Sequence, residues 1–304
     1  MTKYPMKLIP CPRNMIWGGD RLKSKFNKEA PFDTLGESWE LTVRPEADSV
    51  IADGIYSGQK LRDIIKCNDN FPLLIKFIDA RDDLSVQVHP DDNMTDENGH
   101  PLGKTEMWYI IEADEGAELI YGLNDDITEA DFAQMVANGD FASALKRVQV
   151  KAGECYFIPA GQVHAIGKGI LLAEIQQNSD TTYRLYDYGR LDKDGNPREL
   201  HIEKALKVIK KFSDIDINSI RFANGKNTDC LADCDKFSAY FKKSPAKLIS
   251  SSPFSSLVFI SGNGEIICDD KHYSVCAGDT FYCPEGLKMD IIGDLTFIEA
   301  RSHI

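Results

Sequence analysis

The stretch Gly153-Glu-Cys-Tyr-Phe-Ile-Pro159-Ala-Gly161-Gln-Val-His164 recurs later in the chain as Gly278-Asp-Thr-Phe-Tyr-Cys-Pro284-Glu-Gly286-Leu-Lys-Met289, with both glycines and the proline at identical spacing. Each copy reads as turn, strand, turn, strand. A glycine followed by an acid opens a hairpin, strand-forming residues come next, and Pro-x-Gly makes the next reversal. The repeat predicts two similar β domains. The copies differ at one chemically decisive place, because His164 of the first is replaced by Met289 in the second. A metal site is therefore expected in copy one and not in copy two.

Outward from the repeat, short runs rich in Val, Ile, Tyr and Phe, punctuated by Gly and Pro, fill residues 72–175 and again 254–300. That rhythm predicts antiparallel sandwiches or barrels, hence a mainly β fold. Three segments read as helical: 60–67, 128–145 with Thr128 as cap, and 202–212. Residues 33–40 and 91–103 are polar and turn-rich and read as loops. The expected division is a metal-binding domain over 1–215, carrying a helical insertion at about 127–147, and a metal-free domain over 216–304.

A chain of 304 residues, 42% of them apolar, has enough material for one large or two ordinary cores, which excludes a disordered or fibrous chain. Thirty-five basic against 48 acidic residues leave a net charge of −13, which argues against nucleic acid or an anionic membrane surface as partner. Any anionic substrate must then be met by locally clustered cations. No apolar run approaches the roughly 18 residues of a membrane helix, and the first 17 residues hold no apolar signal segment, so the expected location is the cytoplasm. The eight cysteines read as reduced thiols. Cys230 and Cys234 form a close pair but lack the second pair that a metal site of that spacing requires, so they too read as ordinary thiols.

The pattern Gly-x5-Pro-x-Gly-x2-His resembles the second signature motif of the cupin family. Four further segments resemble type I mannose-6-phosphate isomerases: Gly36-Glu37-Ser38-Trp39-Glu40, Leu84-Ser85-Val86-Gln87-Val88-His89-Pro90, Lys104-Thr105-Glu106-Met107-Trp108-Tyr109, and Glu174 to Asp180 running into Arg184. The resemblance spans roughly residues 10 to 300. It implies two cupin-type jelly-roll barrels, one zinc ion per chain, and reversible conversion of D-mannose 6-phosphate and D-fructose 6-phosphate. Monomer and homodimer both remain open.

Alternation along a strand puts Leu84, Val86 and Val88 on an apolar side and Ser85, Gln87 and His89 on the other. The same parity groups Lys104, Glu106 and Trp108 against Met107, Tyr109 and Ile111. With His164 added, the set holds two imidazoles, a carboxylate and an amide oxygen, a mixed N/O shell suited to a divalent transition ion with positions left for water or substrate. Gln87, His89, Glu106 and His164 are the candidate ligands. Zinc rests on the resemblance, since cobalt, nickel or iron would suit the same donors. His100, His201, His272 and His303 lack such partners and read as ordinary polar residues, although His100 and His201 lie near the motif segments.

If the stretch after Asn178 is extended, Asp180, Thr182, Arg184 and Tyr186 share one face. The resemblance puts a catalytic arginine at Arg184. Its cation either stabilises developing enediolate charge or holds the substrate; the plain alternative is a surface ion pair with Asp180 or Asp187. Lys104 reads as base or phosphate contact and Asp180 as second acid/base or orienter, with a structural ion pair as the alternative for each. Ser85 matches a phosphate-binding position of the family or is a solvated strand serine. Trp17, Trp39 and Glu40 suit either a cavity mouth or packing, and Trp108 core filling. The competing functions are a cupin metalloenzyme of another class and a non-catalytic sugar-binding protein. Gln87 in place of the first histidine of the usual His-x-His, and Lys104-Thr-Glu106-Met, argue against the former.

Overall fold

The four repeat glycines Gly153, Gly161, Gly278 and Gly286 all adopt left-handed backbone, with φ between +84° and +93°. A β-carbon there would be strained, so these glycines are what lets each copy reverse direction. The structure, a computed structural model, describes residues 2–67, 71–191, 194–210, 221–223 and 229–303. It is mainly β, as the repeat predicts.

The strands used below are β1 (Met6–Ile9), β2 (Glu37–Leu41), β3 (Leu73–Ala80), β4 (Val86–Val88), β5 (Glu106–Ala113), β6 (Glu118–Leu123), β7 (Cys155–Ile158), β8 (His164–Ile166), β9 (Ile170–Gln177), β10 (Tyr183–Tyr186), β11 (Phe254–Cys268), β12 (Thr280–Pro284) and β13 (Lys288–Ser302). One sheet runs β7-β5-β9-β3-β2 and ends on Cys11–Arg13. A second begins with Leu145–Gln149 and continues β6-β8-β4-β10. A third, of ten strands, is built around β11 and β13.

The six-stranded sheet explains its own sequence. Strand β3 (LLIKFIDA) is buried from end to end. Its Leu73, Ile75 and Phe77 enter a core with Met107, Phe157, Phe254 and Ile298, while Ile78 and Ala80 pack with Trp108 and Ile110 on the other side. A strand covered on both faces reads as a continuous apolar run, and Lys76 and Asp79 are the exceptions in it, Asp79 being paired with Arg21 at 2.7 Å. The ten-stranded sheet takes in the beginning of the chain: β1 pairs antiparallel with β12, Met6 opposite Tyr282. Residues 6–9 thus sit with the C-terminal strands, and the expected boundary at 215/216 lies outside the described residues.

Several expectations need correction. The helix expected over 128–145 is shorter: α3 spans Glu129–Asn138 and stops where Gly139 takes φ +74°. Strand Leu145–Gln149 then pairs with β6. Segment 60–67 holds α2 (Leu61–Ile65), and 202–212 holds α4 (Ile202–Leu206), with 211 and 212 outside the described residues. The expected loop 33–40 contains most of β2, whose Glu37, Ser38 and Glu40 are buried with partners. Polar composition marks a loop only when the polar groups reach water. Helix α1 (Arg21–Phe26) went unanticipated because only Leu22 and Phe26 mark its buried side. Residues 91–103 form turns with a single bridge, as expected. No helix among the described residues is long and apolar enough to cross a membrane.

Candidate metal centre

Two strand registers build the site. In the five-stranded sheet His164 stands opposite Gln87, and Gln87 opposite Arg184. Directly paired residues point to the same face, so these three form one row. In the six-stranded sheet the row is Tyr156, Trp108, Glu174, Lys76 and Trp39, again by direct pairing. Glu106 lies two residues before Trp108 on β5 and shares its face.

His89, Glu106 and His164 converge, with one donor atom of each lying within 4.8 Å of the others, and all three are buried. His89 Nδ1 is 2.8 Å from the Thr181 carbonyl oxygen and His164 Nδ1 is 2.9 Å from that of Gln162. A carbonyl only accepts, so both Nδ1 atoms carry the proton and both Nε2 lone pairs face inward. There they stand 3.6 Å and 3.5 Å from the two oxygens of Glu106. Lone pairs facing a carboxylate repel unless a cation lies among them, and here the Lys104 ammonium stands 3.0 Å from His89 Nε2, in the place a bound cation would take. Neither Glu106 oxygen, both sealed from solvent, accepts a well-aligned hydrogen bond, although the Lys104 ammonium makes an ion pair at 2.8 Å. The donor set therefore fits a divalent metal. Gln87 presents its amide nitrogen to His164 Nε2 at 3.3 Å and its oxygen to Ser85 Oγ at 3.2 Å; a half-turn of the amide exchanges them.

The electrostatics agree. Burial, then repulsion from the Glu174 carboxylate, outweighs Lys104 and raises Glu106 to about 7. Burial pushes His164 down to about 4. Burial, reinforced by the Lys104 ammonium, holds His89 well below its ordinary value. Both imidazoles are thus neutral at physiological pH, the state in which imidazole binds a metal.

Behind this cluster lies a second one. Lys76 Nζ is 3.1 Å from Glu174 Oε1 and 3.9 Å from Glu37 Oε2. The indole N–H of Trp108 donates to Glu174 and that of Trp39 to Glu37. Burial would raise Glu174, but Lys76 and Lys104 overcome it and hold the carboxyl at about 2. Sequence reasoning assigned none of Lys76, Glu174 and Glu37 a role. The signal was there: a lysine inside the eight-residue buried run of β3 must have a buried counter-charge.

A cavity of about 440 Å³ adjoins both clusters. Ser85, Gln87, Lys104, Asp180, Thr182 and Arg184 line one side, and Trp17, Trp39, Lys76, Trp108 and Glu174 also contribute wall. The tryptophans both pack and line, so the two readings of Trp17 and Trp39 hold together, whereas Glu40 is fully buried away from it. Arg13, stacked over Trp39 at 4.2 Å, and Arg198 add cations to the wall that sequence reasoning did not find. Arg184 donates Nη1 to the Glu199 carbonyl, while its Nε is sealed from solvent without a partner. It makes no ion pair among the described residues; Asp187 is taken by Arg190 and Arg198.

Parity failed at two expected positions. Register shifts between Arg184 and Tyr186, so Tyr186 turns out, 41% exposed, against Phe141 and Tyr188. Leu84 precedes β4 and joins Trp108 beside the cavity rather than packing with Val86 and Val88. His201 Nδ1 accepts the Arg184 backbone N–H, and His100, His272 and His303 pair with Asp96, Glu265 and Asp233 at the surface. Met289 is buried among Leu248, Phe281 and Phe297. Cys234 donates to the Phe237 carbonyl, and Cys230 lies on a strand of the ten-stranded sheet.

Residues 6–134 match the model of the family described as phosphomannose isomerase type I, catalytic domain. The chain is 37% identical to the mannose-6-phosphate isomerase of Streptococcus mutans, covering 98% of each, and 39% identical to mannose-6-phosphate isomerase ManA of Bacillus subtilis, covering 94% of this chain and 95% of that one. Its fold superposes on the crystal structure of a Bacillus subtilis mannose 6-phosphate isomerase with a TM-score of 0.87 at 34% identity, over 99% of this chain and 100% of that one. With the buried His-Glu-His cluster and the cavity beside it, these likenesses lead to one conclusion: the chain belongs to the type I phosphomannose isomerase family.

Proposed function

We propose that this protein interconverts D-mannose 6-phosphate and D-fructose 6-phosphate as an aldose–ketose isomerase that works with one zinc ion. The observation that carries the reading is that Gln87 and Lys104 belong both to the buried cluster of His89, Glu106 and His164 and to the wall of the cavity holding Asp180 and Arg184. His89, Glu106 and His164 would hold the ion, with Gln87 as fourth ligand once its amide turns. Zinc, when bound, supplies Lewis acidity toward a carbonyl or hydroxyl oxygen and no redox chemistry of its own.

The chain supplies the rest. Isomerisation takes a hydrogen from C2 of the aldose and delivers one to C1, while the hydroxyl proton on O2 is lost and O1 gains one. Lys104 and Asp180 are the groups placed to carry the carbon-bound proton, both in the cavity wall with Gln87. Arg184, in the cavity wall, stabilises charge that develops on the enediolate oxygens or holds the substrate. Ser85 is a phosphate contact, and Lys104 is the second one in the alternative in which Asp180 carries the proton. The indole walls of Trp17, Trp39 and Trp108 exclude water from the enediolate.

We propose also that residues 1–215 and 216–304 form two barrels, the first catalytic and the second metal-free, with β1 of the first lent to the sheet of the second, a reading the hydrocarbon packing of Met289 supports. We propose the cytoplasm as its location. A coupled assay following fructose 6-phosphate from mannose 6-phosphate, run on metal-replete and chelator-treated protein, tests the function. Turnover that disappears on chelation and returns with zinc is expected. A metal-replete protein without turnover, or full turnover with no bound metal, overturns it.

A further inference from the structure

The Asp187 carboxylate, at the end of β10, is buried at 4% exposure, yet it belongs to no part of the cavity wall. It receives Arg198 through two bonds, Nε at 2.7 Å and Nη2, and Arg190 through Nη2. Arg190 is anchored in turn on the Asp83 carbonyl. A bidentate guanidinium–carboxylate pair fixes both position and plane, so Asp187 fixes Arg198 against the strand end. The residues just after Arg198 wrap around Arg184. The Glu199 carbonyl accepts Arg184 Nη1 at 2.8 Å, His201 donates its backbone N–H to the Arg184 carbonyl at 2.8 Å, and His201 Nδ1 accepts the Arg184 N–H at 3.3 Å. Segment 198–201 is thus an extra edge laid along β10, clamped at one end by Asp187.

We propose that Asp187 is a positioning residue for the isomerisation: by clamping Arg198 it holds the Glu199 carbonyl where it fixes the Arg184 guanidinium in the cavity wall, its plane set for a substrate oxygen. The Nη1 contact with Glu199 is the one side-chain hydrogen bond that orients Arg184 among the described residues. A carbonyl on a loose segment would let the guanidinium regain its rotamers, and with them the cost of reordering at each turnover. This inference rests on Arg184 acting on substrate.

The test is a double-mutant cycle on the zinc-loaded enzyme with mannose 6-phosphate. Asp187→Asn should lower kcat/KM by about tenfold or more in the wild-type background, mostly through kcat, and by less than about twofold when Arg184 is already alanine, since coupled residues are non-additive. A purely structural role would lower Tm in both backgrounds and leave the two factors equal. Equal factors overturn the clamp while leaving Arg184's role intact; an Arg184→Ala enzyme with undiminished kcat/KM overturns that role and the clamp with it. Should Asp187→Asn fail to fold, Arg198→Lys keeps the cation, removes the bidentate grip and enters the same cycle with the same two outcomes.

Discussion

At the scale of single residues, the site turns on the direction of two imidazole lone pairs. The Thr181 and Gln162 carbonyls take the Nδ1 protons of His89 and His164, and that alone aims both Nε2 atoms at Glu106. Removing one of these lone pairs removes a donor atom from the cluster that would hold the metal. His164→Ala is expected to lose bound metal and turnover together, activity falling by more than about a hundredfold. Metal analysis of the purified variant decides the matter: one zinc per chain retained would reassign the ligand. That His89, Glu106 and His164 converge was legible from strand alternation, the Pro-x-Gly hairpin and the family resemblance taken together. Lys76 and Glu174 were not assigned, since their partnership depends on β3 and β9 lying side by side, and nothing near residue 76 names residue 174.

At the scale of elements, ends mattered more than interiors. Helix α3 starts where expected because Thr128 and Asp131 close a reciprocal capping box: Thr128 Oγ1 accepts the Asp131 N–H at 3.1 Å, and Asp131 Oδ2 accepts the Thr128 N–H at 3.1 Å. It stops at Asn138 for an equally local reason, the left-handed Gly139, which the apolar pattern running on to Leu145 concealed. Thr128→Ala is expected to cost about 1 kcal/mol, seen as a small fall in Tm with metal content and kcat unchanged. A change in metal stoichiometry would mean that α3 supports the centre directly. The register shift in β10 is the other lesson at this scale. It separates Tyr186 from the row of Arg184, and no composition rule announces a bulge.

At the scale of the whole molecule, the N-terminal and C-terminal strands share one core, in which Leu8, Leu41 and Phe77 meet Phe237, Phe254 and Ile298. A buried ionic joint crosses the same seam. Lys28 Nζ sits 2.7 Å from Glu40 Oε2 and donates to the Gly278 carbonyl at 2.6 Å, while Ser38 and Thr280 donate to the Glu40 carboxylate. Glu40 is fully buried. Deleting only the cation strands a carboxylate in the interior, so Lys28→Met is expected to cost about 3–5 kcal/mol, and the double variant Lys28→Met/Glu40→Leu to recover most of it. Urea unfolding followed by fluorescence checks this. A double variant no better than the single would show that the hydroxyls of Ser38 and Thr280, left without their acceptor, dominate the seam. Because the core is common, one cooperative transition is expected for all three proteins.

The sequence by itself determined what depends on neighbours in the chain: the paired hairpins marked by four glycines, the strand alternation that groups Gln87 with His89 and Glu106 with Trp108, and the exchange of an imidazole for a thioether where Met289 stands in the place of His164. These features arise from backbone sterics and a two-residue period, which act locally. Only the tertiary structure decided which sheets face each other, that Lys76 is neutralised by Glu174, that Arg184 is held by a segment which Asp187 clamps, and that β1 completes the C-terminal sheet. Those are choices of register and of long-range pairing. They are settled by the burial of whole faces and the pairing of buried charges, a sum over the folded molecule that no single stretch of residues contains.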